Sequence, residues 1–109
     1  MDSQLQSAPR IDAADLQQYQ GQVVRVIGKV EQGQHPVAVL GCGQDASIRV
    51  QVKMAPGNQY NTAFVEVMGR VSSDALEEIL SYDIGDTFDL GNYQQLLSFS
   101  AGQYRPLFA

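Results

Sequence analysis

A seven-residue pattern occurs twice in this chain and constrains its fold more than any other feature. Val24-Arg25-Val26-Ile27-Gly28-Lys29-Val30 and Val65-Glu66-Val67-Met68-Gly69-Arg70-Val71 each carry a β-branched run into a glycine followed by a long basic side chain. Branched side chains favour a pleated strand, where they pack against their neighbours. A glycine inside such a run marks a bend or a close approach. Two bent strands within 109 residues point to a small, strongly curved sheet able to close into a barrel. Strand chemistry alone, with no repeat behind it, also produces the pattern.

The remaining segments supply the other elements. Strand one is expected over about 22–31, with Val24, Val26 and Val30 sharing a face with Gly28. The turn 32–36 leads to strand two over 37–42. Residues 47–52 alternate cleanly, with Ile48, Val50 and Val52 on one face and Arg49, Gln51 and Lys53 on the other. Strand four is expected over about 63–71. The stretch 76–84 fits a helix through Leu76, Ile79 and Leu80, and a strand through Leu80, Tyr82 and Ile84. A closed barrel needs a fifth strand to satisfy its edges, so strand is the expectation. Asp12 can cap a short helix ended by Gly21, whose Leu16 and Tyr19 would plug one barrel end. Leu90, Tyr93 and Leu97 lie at helical spacing after a cap at Asp89 and predict a C-terminal helix ending near Ala101-Gly102. So short a helix persists only if it is buried against something.

Composition restricts the chemistry. One cysteine, Cys42, excludes an internal disulfide and suits a reducing compartment. With His35 it leaves too few soft ligands for structural zinc. No run approaches the ~20 apolar residues that span a bilayer, and the polar, acidic start is unlike a secretory signal. No nucleophilic triad is available: His35 precedes Pro36 in a turn, and Cys42 reads as a small buried hydrophobe. Glu77 and Glu78 are adjacent, so on a strand they diverge and read as solvated charge. Asp83, Asp86 and Asp89 lack the ligand ladder of a calcium loop and read as a turn and a cap. Residues 41–45 are glycine-rich without the lysine of a phosphate loop. The chain is therefore expected to be non-enzymatic and to need no cofactor.

The formal charge of -5, from 12 acidic and 7 basic residues, disfavours a freestanding nucleic-acid binder. Arg25, Lys29, Arg49 and Lys53 are the candidate weak contacts to a single strand, with Tyr60, Phe64 and Tyr82 as candidate stacking aromatics. The alternative is that these cations only solvate the outer face. The helical stripe either caps its own barrel or joins helices of other chains.

Arg10-Ile11, Val26-Ile27-Gly28-Lys29-Val30, Val65-Glu66-Val67-Met68-Gly69-Arg70-Val71 and Phe88-Asp89-Leu90-Gly91-Asn92-Tyr93 together resemble the family of smallest subunits of eukaryotic replication protein A. The similarity runs from Pro9 to about Leu107. It implies an all-β fold with flanking helices, a five-stranded OB-fold barrel plus a C-terminal helix. Residues 1–8 would be a flexible N-terminus and 9–88 the barrel with its short helix. Residues 89–101 would be an oligomerisation helix and 102–109 an apolar tail. The helix would pack with one helix each from the middle and large subunits in a three-helix bundle, using Leu90, Tyr93, Leu96, Leu97 and Phe99. A charge at Leu97 would then weaken assembly. The resemblance further implies a nuclear assembly role in DNA replication, repair and recombination, with single-stranded DNA met mainly through the complex and no membrane. A small adaptor of a telomere-capping complex and an independent, weakly binding barrel are the alternatives.

Overall fold

The structure, a computed structural model, describes residues 8–101. The expected flexible start and apolar tail fall mostly on 1–7 and 102–109, outside the described residues. A 3-10 segment at Ala13–Tyr19 precedes β1 (Val23–Gln32), β2 (Val37–Cys42), β3 (Ile48–Lys53), β4 (Phe64–Ser72) and β5 (Ala75–Gly85), and helix α1 (Leu90–Ala101) follows. The stretch 76–84 is a strand, as edge satisfaction required. β1 pairs antiparallel with β2 and β4, β2 with β3, and β4 with β5. β3 and β5 pair in parallel. The result is a five-stranded mixed sheet in which each strand has two neighbours.

Alternation sets the inner face. Val24 and Val26 of β1, Val50 and Val52 of β3, and Val65, Val67 and Val71 of β4 form one core with Leu40 and Leu76. Leu16 of the 3-10 segment is buried in the same core and Tyr19 packs against it. The Asp12 carboxylate starts that segment by accepting from the Ala14 backbone N–H at 3.0 Å. Arg49, Gln51 and Lys53 face solvent.

Both repeated glycines stand where a side chain has no room. A Cβ on Gly28 would lie 2.7 Å from the Cys42 sulfur and 3.0 Å from the Leu40 Cβ. A Cβ on Gly69 would lie 2.6 Å from the Glu77 carbonyl oxygen. Gly69 borders an irregularity in the β4–β5 ladder: Met68 pairs with Leu80 but Gly69 with Glu78, leaving Ile79 extra. The extra residue switches the facing of β5. Leu80 and Tyr82 turn outward, 43% and 54% exposed. Glu78 turns inward instead of joining Glu77 in solvent, which corrects the reading of both as solvated charge. Its carboxylate accepts from the Ala55 N–H at 2.8 Å and the Tyr60 hydroxyl at 3.2 Å. These bonds compensate its desolvation and tie the β3–β4 loop to β5.

Gly69→Ala is expected to cost about 1–3 kcal/mol in urea denaturation, as overpacking typically does. Gly28→Ala should cost no more, since its tightest contact is with the Cys42 side chain and the Gly41 carbonyl lies farther off, at 3.1 Å, than the Glu77 carbonyl does from Gly69. A Gly69→Ala variant within about 0.5 kcal/mol of the parent would contradict the close approach.

Candidate functional site

Helix α1 starts at the predicted cap. The Asp89 carboxylate accepts from the Asn92 N–H at 2.9 Å, and its carbonyl accepts from the Tyr93 N–H at 3.1 Å. The five residues expected to meet partners do not share one environment. Leu90 and Leu97 are buried within the chain, each 9% exposed. Tyr93 is half-buried and its ring lies 5.9 Å from Phe88, which in turn lies 6.0 Å from Phe64 on β4. Leu96 is 46% exposed. The Phe99 side chain lies outside the described residues. Gln94 donates to the second Asp12 carboxylate oxygen, tying α1 to the 3-10 segment.

This division follows from helical geometry. At 3.6 residues per turn, positions 90, 93, 94 and 97 share one side, and 92, 95, 96 and 99 the other. The first side meets the body of the chain. The second exposes Asn92, Gln95 and Leu96. No charged residue occurs in Leu90–Ala101.

Tyr93 rests over a polar patch. Arg10 pairs with Glu66 of β4 at 2.7 Å, and Arg25 donates to the Ala8 carbonyl at 2.8 Å. Glu66 sits on the outer face, yet it is only 8% exposed. The Tyr93 hydroxyl is buried with no hydrogen-bond partner among the described residues. Burial pushes it up to about 12; Arg10 and Arg25 oppose the shift and Glu66 adds to it.

The four candidate phosphate contacts lie on β1 and β3. Arg25 is partly buried and bonded as above. Lys29 pairs in register with Gly41, and Gly41 with Arg49, so Lys29 and Arg49 flank β2. Arg49 donates to Glu31 at 2.9 Å. Lys53 is exposed, beside Val37 and Glu77 in register. Two of the three candidate stacking aromatics are engaged: Tyr60 with Glu78 and Phe64 with Phe88. Tyr82 remains exposed.

Cys42 and three aspartates serve the fold. Cys42 is buried, and desolvation pushes its thiol up to about 12. Asp83 accepts from Asn61, Asp86 accepts from the Ala63 N–H, and Asp89 caps α1. His35 is exposed in the β1–β2 turn. Among the described residues there is no group of three or more metal-ligating side chains, and no helix long and apolar enough to cross a membrane. The Glu78 network and the Glu31–Arg49 pair were not expected; both arise at bulges, where simple alternation gives no signal.

The family described as Replication factor A protein 3 matches residues 1–108. A 14 kDa subunit of replication protein A from Arabidopsis thaliana is 30% identical over 99 residues, covering 90% of this chain and 91% of that one. Among solved structures, U. maydis replication protein A bound to single-stranded DNA superposes with a TM-score of 0.83 at 27% identity, over 94% of this chain and 95% of that one. The S. pombe Stn1–Ten1 complex superposes with a TM-score of 0.70 at 18% identity, over 89% and 94%. At that identity the likeness shows the fold alone.

The Tyr93 hydroxyl generates a pH prediction. An unfolded phenol ionises near 10, whereas here the proton is held to about 12. The stability this contributes is complete below pH 10 and is lost as pH rises through the folded value. Tyr93→Phe should therefore lose less stability than the parent above pH 10 in urea melts. At neutral pH it should gain about 1 kcal/mol, because the buried hydroxyl has no partner to lose among the described residues. A destabilised variant would show that the hydroxyl is bonded in solution.

Proposed function

The chain belongs to the Replication factor A protein 3 family, and we propose that it is the small, non-catalytic subunit of a nuclear, heterotrimeric complex that binds single-stranded DNA. It serves DNA replication, repair and recombination as an assembly element. Its partners are the middle and large subunits of replication protein A, and it meets DNA mainly through them. The pairing of every strand with two neighbours supports a closed OB-type barrel as the body that carries the helix.

The observation that carries this reading is the two-sided α1. Leu90, Tyr93 and Leu97 anchor the helix to its own chain. Leu96, with Asn92 and Gln95 beside it, is left for partner helices in a three-helix bundle, and helical spacing puts position 99 on the same side. An uncharged helix suits such a bundle, since no charge has to be stripped of water in the seam. Leu96 and Phe99 are thus the partner contacts among the five residues first considered. The others hold α1 at the angle at which partners meet it.

Leu96→Asp and Leu97→Asp separate the two roles. Leu96→Asp should leave the melting temperature of the isolated chain within a few degrees of the parent. It should also abolish stoichiometric co-elution with the middle and large subunits at low concentration. Leu97→Asp should lower the stability of the isolated chain by about 3 kcal/mol or more, because it buries a charge. Full co-elution of Leu96→Asp would sink the assignment of the partner face.

A further inference from the structure

We infer that Glu31 is a built-in competitor for phosphate, seated between Lys29 and Arg49 on the outer face of β1–β2–β3. Lys29, Gly41 and Arg49 form one cross-strand row in register. Neighbouring strands lie about 4.8 Å apart, so Lys29 and Arg49 stand on opposite sides of a single glycine. The pairing of β1 with β2 slips between Val30 and Gln32, and Glu31 is the residue left over. A bulge re-aims the side chain it carries. Here it aims the carboxylate across β2, where one oxygen accepts from Arg49 Nε at 2.9 Å. The other oxygen occupies the space that a Cβ on Gly41 would need. The Ala46 carbonyl oxygen lies 2.7 Å from the same position and closes that side, and Glu31 fills what space remains beside Arg49.

A carboxylate held by a surface arginine presents the same chemistry as a nucleic-acid phosphate. The Arg49 side chain is 68% exposed and that of Glu31 is 28% exposed, so the pair lies within reach of solvent. Exposed pairs of this kind contribute little, and an incoming phosphate can replace them. While Glu31 remains, each phosphate must displace it and is repelled by it. Affinity for a single strand is thereby held down without loss of the cations. The same acid raises the nearby Cys42 thiol, after the larger effect of burial.

This inference rests on the reading that Lys29 and Arg49 meet single-stranded nucleic acid. It does not depend on which face of α1 meets partners. The test is fluorescence anisotropy of a labelled oligothymidylate of about 16 nucleotides, the upper site size of one OB fold. The full chain would be titrated across a series of salt concentrations. Glu31→Gln should bind about two- to five-fold more tightly at low salt. Its log–log salt slope should steepen by about 0.7, the increment for one more phosphate contact on a single strand. Asp74→Asn, an equal change of net charge in the β4–β5 turn, should do neither. Arg49→Gln should weaken binding, and Glu31→Gln/Arg49→Gln should show no gain. If Arg49→Gln weakens binding while Glu31→Gln changes nothing, the cations meet DNA but Glu31 does not compete, and the inference is overturned. A gain that survives in the double variant, or that Asp74→Asn reproduces, reduces the effect to net charge and also overturns it. If no variant binds, the nucleic-acid reading falls and the inference with it, while assembly through α1 stands on its own co-elution test.

Discussion

Two missing side chains govern how tightly the sheet can curve. Gly28 lets β1 lie against Cys42 and Leu40 of β2, and Gly69 lets β4 lie against the backbone of β5 at Glu77. β1 meets β2 only through its C-terminal end, where Lys29 pairs with Gly41. Its N-terminal half faces the chain at Pro9–Ile11 instead, through the Arg25 N–H to the Pro9 carbonyl and the Ile11 N–H to the Arg25 carbonyl. A flat β1 could not serve both neighbours. The bend at Gly28 divides the strand between them, and each half finds partners for its backbone groups.

The outer face of β1 and β4 is consequently the platform on which the rest is mounted. Ala8, Val23 and Met68 form a small second core there. Arg10 reaches Glu66, and Phe88 carries the chain from β5 back over Phe64 to Tyr93. The entering segment and the exiting helix therefore stand on neighbouring parts of one surface, joined by the Gln94–Asp12 bond. Twelve residues make a marginal helix alone. Burial of Leu90 and Leu97, together with a cap at Asp89, holds α1 formed before any partner arrives. A preformed helix meets its partners without first losing that conformational freedom.

Most of the fold was legible because its strands obey a two-residue period, and Val24, Val26, Val50, Val52, Val65 and Val67 are buried where alternation placed them. What escaped was tied to single extra residues. Ile79 and Glu31 each interrupt a ladder. Downstream of the first, Leu80 and Tyr82 face outward although they read as apolar strand positions. At the second, an acid at the expected end of strand one becomes the partner of Arg49. A bulge costs one residue and leaves no compositional mark here, so no periodicity argument could find it. The helix posed a different difficulty. Its apolar residues were legible as a set, but a sequence does not say which of two apolar sides its own chain will take. Leu96 and Leu97 are adjacent, chemically identical and point about 100° apart; only the packed structure distinguishes them.

The distribution of charge fits the same division of labour. The acids that reading along the chain makes conspicuous are mostly occupied: Glu66 with Arg10, Glu78 with Tyr60 and the Ala55 backbone, Asp83 and Asp86 with the β3–β4 loop. Several cations are occupied as well, Arg25 by a carbonyl, Arg70 by the Gly21 carbonyl at 2.6 Å and Arg49 by Glu31. A surface whose charges are largely satisfied internally offers little long-range attraction to a polyanion. α1 contributes no charge at all, so it neither steers nor repels an approaching helix. The chain therefore has its strongest means of association in apolar helix surface. Under the proposed function, contact with nucleic acid is limited by the pairing of Arg25 and Arg49 within the chain.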